Sequence, residues 1–440
     1  MDYNQTIYYL EHALAIHTVP TLDRMRKLMA LLGNPQEALT VIHIAGTNGK
    51  GSASAMLSSV LHEAGYSVGT YISPHLFSYC ERISVDKADI SETDFTRSIG
   101  TVQEAVKDMC GDGTPLPNLF EVVTAAAFLY FAEKMPDFLV MEVGLGGLTD
   151  ATNVVSHPLL SVIMSIGLDH TAFLGNTVAE IAVEKAGIIK KNCPVVLYSQ
   201  DELVYNIVER IARERQAPLV YCVDSQIEMI SQTLEGTFFS VENSVISYEA
   251  ISLPLLGNHQ VRNCITVLEA CQCLREKGIR LEKDAILKGI ANTRWVGRLE
   301  VVQKNPLVLL DGAHNPDGMV ALGKALETYF PDEKITLLMG VLKEKDAQTM
   351  LASILPKVSK IIFTEPDSDR KSDTDDLSAL LDGYPIEVYQ NKNFAEAYEQ
   401  ALTLADSSAD SSKTIVCCGS LYLVGALSAY ISQKKSGGDE

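Results

Sequence analysis

The sequence predicts an α/β protein in two parts: an N-terminal P-loop-type doubly wound sheet domain, residues 1–295, and a smaller C-terminal Rossmann-like α/β domain, residues 296–440. Three observations predict it. Short β-branched apolar runs recur along the chain, as in strands buried on both faces of a parallel sheet, and they alternate with stretches of helical period. The first such run, Val41 to Ala45, leads through a glycine-rich turn straight into a helix. The alternation then pauses near Asn292-Thr293-Arg294-Trp295-Val296-Gly297-Arg298, which carries the only tryptophan, and starts again.

The elements follow in order. Residues 5–17 and 21–33 read as two helices joined at Val19-Pro20-Thr21. Thr21 caps the second and Gly33 ends it. Strand 41–45 and helix 52–65 flank the glycine turn, the helix with Ala53, Met56, Leu57, Val60 and Leu61 on one face. Strands follow at 67–72 and 82–85, then an amphipathic helix at 91–109 with Ser91 and Asp94 as a capping box. A loop through Gly111-Asp112-Gly113 leads to a mostly buried helix at 119–134. Strands within 137–144, 158–166, 195–198 and 219–223 alternate with helices at 177–187 and 203–215. Residues 237–253 alternate polar and apolar as a hairpin turning at Glu242-Asn243-Ser244, and a helix runs from Gly257 to Lys277. In the second part, strand 307–310 meets a helix that Asn315 caps and Pro316 starts. Strands near 335–340, 358–363, 385–389 and 413–418 alternate with helices, and 434–440 reads as a disordered tail.

Composition narrows the function. Hydrophobic residues make up 47% of 440, ample for packed cores, yet no apolar run is long enough to cross a bilayer. Met1 to Gln5 lacks the basic and apolar regions of a signal peptide, so a cytoplasmic location is expected. A net charge of −20 argues against nucleic acid and anionic membrane as partners, but not against an anionic small substrate. Nine scattered cysteines show no paired C-x-x-C spacing, so buried free thiols in a reducing compartment are expected rather than zinc.

Two stretches carry chemistry. Gly46-Thr47-Asn48-Gly49-Lys50-Gly51-Ser52 joins a buried strand to a helix. Backbone N–H groups and the helix N-terminus suit a phosphate, Lys50 adds a point charge, and Ser52 offers a hydroxyl to Mg²⁺. The standard pattern has glycine at Ile44 and the hydroxyl directly after the lysine; here Gly51 intervenes. A plain glycine turn is the alternative, and the strand before and helix after favour a nucleotide. The second stretch ends a strand in Glu142, followed by Gly144-Leu145-Gly146-Gly147. A carboxylate at such a strand end holds magnesium in phosphate-loop enzymes. Further along, His170 follows a strand end beside Asp169, while Asp311 and His314 lie where a strand meets a helix N-terminus, a suitable place for an anion. Glu121, on the apolar helix, would be costly to bury without a role.

The G-T-N-G-K-G-S variant, with Ser73-Pro74-His75-Leu76, Phe120-Glu121-x-x-Thr124, Asp150-Ala151-Thr152-Asn153, Glu184-Lys185-Ala186-Gly187 and Trp295-x-Gly297-Arg298, resembles the Mur ligase superfamily and, within it, the folylpolyglutamate synthase/dihydrofolate synthase family. The resemblance implies an ATP-dependent ligase that adds L-glutamate to a folate carboxylate through an acyl phosphate, as a monomer. It assigns Ser52, Ser73, Glu142 and His170 to two magnesium sites, and Asn263, Arg298 and Asp311 to the adenine, phosphates and ribose of ATP. Phe120, Glu121, Thr124 and Asp150 are implied folate contacts, and Lys185 is carbamylated in relatives. His314 is implied near the acyl phosphate and incoming glutamate, and Ser420 at a glutamate carboxylate. Leu148-Thr149 stands where many dihydrofolate synthases carry arginine, which weakens any claim on dihydropteroate. The rival acceptor is a UDP-muramoyl compound. A nucleotide switch would want N-K-x-D, and Asn391-Lys392-Asn393-Phe394 lacks the aspartate.

Overall fold

The computed structural model describes residues 1–14, 21–111, 113–222, 224–406 and 413–437. They form two compact units. The first comprises Met1–Glu228, Ser240–Ile251 and Arg262–Thr293; the second comprises Met229–Phe239, Ser252–Val261 and Arg294–Glu440.

The first unit is built on an eight-stranded sheet of β1 (Val41–Ala45), β2 (Val68–Tyr71), β3 (Ile83–Val85), β4 (Ala88–Asp89), β5 (Phe138–Glu142), β6 (Leu160–Ile163), β7 (Val195–Leu197) and β8 (Leu219–Val220), in the order β4-β3-β2-β5-β1-β6-β7-β8. The six strands from β2 to β8 in that order pair in parallel, and β3 and β4 turn back along one edge. Every residue of β1, β5 and β6 is buried, which accounts for their unbroken apolar runs. Met25, Leu28, Phe95, Val122, Phe128 and Phe131 pack with Val41, Leu139 and Met141 in one core. Ile181, Ala182, Val204 and Val208 pack with Ala45, Ile163 and Val195 in another. Because β1 lies between β5 and β6, its loop leaves the middle of the sheet, where open α/β sheets bind ligands.

The second unit holds a six-stranded sheet of β12 (Glu300–Lys304), β13 (Leu307–Leu310), β14 (Ile335–Met339), β15 (Val358–Phe363), β16 (Glu387–Gln390) and β17 (Thr414–Cys418), numbered after the strands β9 to β11 given next and ordered β12-β13-β17-β14-β15-β16. Only β12 runs antiparallel. A separate three-stranded sheet has the order β11-β10-β9, with β9 at Gln226–Thr233, β10 at Gly236–Glu242 and β11 at Ser247–Leu253.

Several expectations change here. The hairpin gains β9, whose residues are nearly all exposed and so show no period-two burial. The tail continues as helix Leu421–Gly437, because the stripe Leu423, Val424, Leu427, Ile431 carries into it and Lys434 pairs with Glu399 at 2.6 Å; residues 438–440 lie outside the described residues. The first helix ends at His12, and the 15–17 stretch, the Val19-Pro20 joint and Asp112 also lie outside them. A helix not foreseen, Lys283–Ala291, packs Gly289 onto Val60 of helix Lys50–Glu63. Helix Leu119–Lys134 has the expected ends, with Asn118 and Glu121 forming a capping box.

Candidate active site

At the carboxyl edge of the first sheet, Ile44 of β1 lies opposite Glu142 of β5, and Ala45 lies opposite Ile163 of β6. The glycine turn is pinned to the segment after β6. Thr47 and Asn48 donate their N–H groups to the Ser165 carbonyl at 2.7 and 3.3 Å, and the Thr47 hydroxyl bonds the Gly167 carbonyl at 3.1 Å. Helix Lys50–Glu63 starts at Gly49, with φ of 86°. The Asn263 side chain, itself buried, lies 2.7 Å from where a Cβ on residue 49 would stand, so only glycine fits. Asn263, expected at the adenine end of a nucleotide, therefore abuts the glycine turn itself. Gly49 brings no side-chain acceptor to the first helical turn, and Ser52 sits buried within that turn.

Two ammonium groups converge on one carbonyl. Lys50 Nζ donates to the Gly46 carbonyl at 2.9 Å and to the Thr47 carbonyl at 3.2 Å. Lys185 Nζ, from helix Val178–Ala186, donates to the same Gly46 carbonyl at 2.8 Å. Burial, then the nearby Lys50 charge, pushes the Lys185 amine down to about 7.

Glu142 is buried at the end of β5, and one of its oxygens accepts the Ser73 N–H at 3.3 Å. This joins the segment after β2 to the end of β5. After β6, His170 is exposed with φ of 50° and begins the short helix Thr171–Leu174; its Nε2 lies 3.9 Å from an Asp169 carboxylate oxygen. Among the described residues no group of three or more His, Cys, Asp or Glu side chains is placed to hold a metal. The hard-oxygen donors Ser52, Ser73 and Glu142 suit magnesium, which keeps waters and phosphate oxygens as ligands; the His170 nitrogen suits it least.

The implied folate contacts divide. The Phe120 ring lies so close over Gly144 that a Cβ there would strike it. The Thr124 hydroxyl bonds the Tyr71 hydroxyl at 2.9 Å, fully buried. Glu121 does not need a ligand to account for its burial. Arg24 grips it with Nε to both carboxylate oxygens at 3.1 and 2.8 Å, and Nη2 to one of them at 2.8 Å. Asp150 is likewise spent within the chain, accepting the N–H groups of Leu145 at 2.9 Å and Thr152 at 3.0 Å and the Thr152 hydroxyl at 2.5 Å. It shapes the glycine turn after β5. Arg24 lies in the stretch Leu22-Asp23-Arg24-Met25, whose resemblance to the family implies part of the folate pocket, but nothing in the sequence pairs it with Glu121.

In the second unit, Asp311 follows β13 and is buried, which raises its carboxyl, while the Arg298 charge opposes the rise. Its two oxygens accept the N–H groups of Ala313 and Leu299, each at 2.9 Å. The Arg298 guanidinium lies against Gly312. His314 Nδ1 is 2.7 Å from the Gly312 carbonyl, which can only accept, so Nδ1 carries a proton. Ser420 is buried, and its hydroxyl accepts the Tyr422 N–H at 3.2 Å at the start of the last helix.

Comparison with known proteins agrees with this architecture. Residues 44–271 match the Mur ligase middle domain, and residues 297–421 match the Mur ligase glutamate ligase domain. The chain is 36% identical over 425 residues to the dihydrofolate synthase/folylpolyglutamate synthase of Bacillus subtilis, covering 96% of this chain and 97% of that one. Among solved structures, Mycobacterium tuberculosis folylpolyglutamate synthase complexed with ADP has a TM-score of 0.90 at 32% identity, covering 98% of each chain. Escherichia coli FolC in complex with DHPP and ADP has a TM-score of 0.86 at 29% identity, covering 99% of each. This chain belongs to the Mur ligases and, within them, to the folylpolyglutamate synthase/dihydrofolate synthase family.

Proposed function

We propose that this ligase adds L-glutamate to the terminal carboxylate of a reduced folate, driven by ATP. One observation carries the reading: Lys50 and Lys185 converge on the Gly46 carbonyl at the turn after β1, beside the strand end where Glu142 meets Ser73. Residues 1–295 take ATP and folate under this reading, and residues 296–440 serve glutamate.

A carboxylate is a poor electrophile, so it is phosphorylated first. A folate carboxylate oxygen attacks the γ-phosphorus of ATP, ADP leaves, and an acyl phosphate forms. The α-amine of glutamate then attacks the acyl carbon, and phosphate departs. Lys50 and the helix N-terminus at Gly49 neutralise charge that grows on the transferred group. Asn263 holds the nucleotide with the glycine turn, and in the second unit Arg298 and Asp311 brace the loop that carries His314. His314, with Nδ1–H fixed on Gly312, presents Nε2 as the base for the amine proton. Ser420 serves the glutamate carboxylate. Phe120 and Thr124 line the folate side, while Glu121 and Asp150 position their neighbours.

Ser52, Ser73, Glu142 and His170 would hold two Mg²⁺ ions, which supply charge neutralisation and orientation of the phosphates. Burial lowers the Lys185 amine to about 7, so near neutral pH a large share of it is in the unprotonated form needed to take up CO₂ as a carbamate. This reading places the protein in the cytoplasm, in keeping with nine unpaired cysteines, and takes it as a monomer.

The test is ATP-dependent ADP formation with glutamate and one of three acceptors: tetrahydrofolate, dihydropteroate or a UDP-muramoyl compound. Turnover with tetrahydrofolate is expected. Turnover with only the muramoyl acceptor would overturn the reading. Dihydropteroate decides bifunctionality: the Bacillus subtilis relative is named for both activities, whereas Leu148, 41% exposed beside the glycine turn, offers no charge to an anion.

A further inference from the structure

The first unit contains two arginines buried to nearly the same depth, Arg24 at 6% exposure and Arg82 at 8%. They differ in what fills the guanidinium fork. Arg24 has its carboxylate within the chain, the bidentate Glu121. Arg82, just before β3, uses only Nε, which donates to His75 Nδ1 at 2.8 Å. One face rests on the Tyr79 ring, with Cζ 5.3 Å from its centroid. Nη1 and Nη2 have no acceptor among the described residues, and no carboxylate there pairs with Arg82.

The acids around it are spent elsewhere. Glu81 turns its carboxylate to the N–H groups of Leu76, Phe77 and Ser78, at 2.9, 2.8 and 2.6 Å. Asp150 is used up by Leu145 and Thr152, and Glu142 faces Ser73. An arginine cannot shed its proton, so a largely buried guanidinium whose Nη atoms still reach solvent and meet no carboxylate of the chain is placed to take an anion from outside. Its position is specific. The Arg82 carbonyl accepts the Ile72 N–H at 3.0 Å, directly before Ser73. The Tyr71 hydroxyl, which feels the Arg82 charge, bonds Thr124, and the Tyr71 ring lies 6.2 Å from that of Phe120. Arg82 thus sits on the folate side of the strand ends.

We propose that Arg82 is a specificity-determining residue that binds the α-carboxylate of the acceptor's terminal glutamyl group through Nη1 and Nη2, leaving the γ-carboxylate to ATP. This rests on the folate-ligase reading above. The γ-carboxylate must become an acyl phosphate, and a bidentate arginine on it would blunt its attack. The α-carboxylate keeps its charge throughout, so an arginine on it contributes equally to ground state and transition state. It lowers KM without raising kcat. Dihydropteroate has only the reacting carboxylate and gains nothing from Arg82.

The experiment compares wild type, Arg82→Gln and Arg82→Lys with tetrahydrofolate and with its α-carboxamide, at saturating ATP and glutamate. The arginine variants should raise KM for tetrahydrofolate about 10- to 100-fold, with kcat and KM for ATP little changed. Lysine should restore part of the loss. In wild type the α-carboxamide should show a comparable rise, and Arg82→Gln should not worsen it further. The proposal falls if wild type accepts amide and acid alike, a result that needs no variant to fold. It falls equally if Arg82→Gln weakens both acceptors by the same factor. A wild type with no tetrahydrofolate turnover at all sinks the folate reading itself, and the Arg82 assignment with it.

Discussion

The turn after β1 and the turn after β13 both carry a buried strand into a helix N-terminus, yet they treat that terminus differently. After β1 the cap residue is Gly49, which has no side chain to give the first turn. After β13 the cap is Asn315, whose side-chain oxygen accepts the Gly318 N–H at 2.8 Å, and Pro316 removes one donor outright. The Asp311 carboxylate accepts backbone N–H groups from its own turn, at Ala313, and from Leu299 just before β12. The first arrangement leaves its helix start without a side-chain cap of its own and sets a lysine beside it on the Gly46 and Thr47 carbonyls; the second caps itself and fixes a proton on His314 Nδ1. Of the two turns, only the one after β1 suits an anion without first displacing a side-chain cap.

The largest effect expected from that contrast is on Lys50. Lys50→Gln removes the charge from the uncapped turn, and kcat for tetrahydrofolate-dependent ADP formation should fall about 10²- to 10³-fold, with the thermal midpoint held near wild type. Activity within a few-fold of wild type would mean that the turn after β1 does not face the transferred phosphate. Gly49→Ala comes next. It forces a Cβ into positive φ and onto Asn263, at about 1–2 kcal/mol, so ATP affinity measured by calorimetry should weaken roughly 5- to 30-fold if the strain is relieved by displacing the turn.

The contrast also explains what could be read without coordinates. The turn at 46–52 was legible because burial on both faces leaves an unbroken apolar run, and glycine marks where it stops. Helix Leu119–Lys134 was legible from its long, mostly apolar run, and in the structure Asn118 and Glu121 box its first turn. Strands β9 and β12 were not, since β9 is exposed on both faces and β12 is only half-buried. Neither offers the contrast that periodicity needs. Side-chain roles that depend on distant partners were hidden as well. Glu121 looked like a buried acid in want of a ligand, but its answer lies 97 residues away in Arg24. Asp150 looked like a substrate contact, yet its partners are the N–H groups of its own turn, which composition does not reveal.

Lys185 gives a pH test of the β1 side. Its amine pKa is lowered to about 7, so the folded chain binds fewer protons there than the unfolded chain between about pH 7 and the ordinary lysine value of 10.5. Stability contributed by this site should therefore rise with pH across that window. Carbamylation needs the neutral amine, whose fraction at pH 6 is about a tenth of that at pH 8. Enzyme equilibrated at pH 6 without bicarbonate should lose activity by up to about tenfold in an assay at pH 8, and added bicarbonate should restore it, with a ¹³C-carbamate signal appearing in step. Activity indifferent to bicarbonate would leave Lys185 as a plain ammonium donor to Gly46.

The smallest effect belongs to the self-capped turn after β13. Asn315→Ala removes the acceptor of the Gly318 N–H and should cost about 1 kcal/mol of stability, read as a lower denaturant midpoint with an unchanged slope. Asn315→Asp keeps an oxygen in place and adds a charge that the helix N-terminus favours, so it should recover most of that loss. The pair separates two accounts of this turn. If the cap only stabilises the helix, alanine and aspartate should differ in midpoint and leave the KM for ATP alone. If an anion from outside also uses this N-terminus, alanine should be the milder change for activity, because aspartate would set a fixed negative charge against the incoming one. That second outcome would erase the distinction between the two turns.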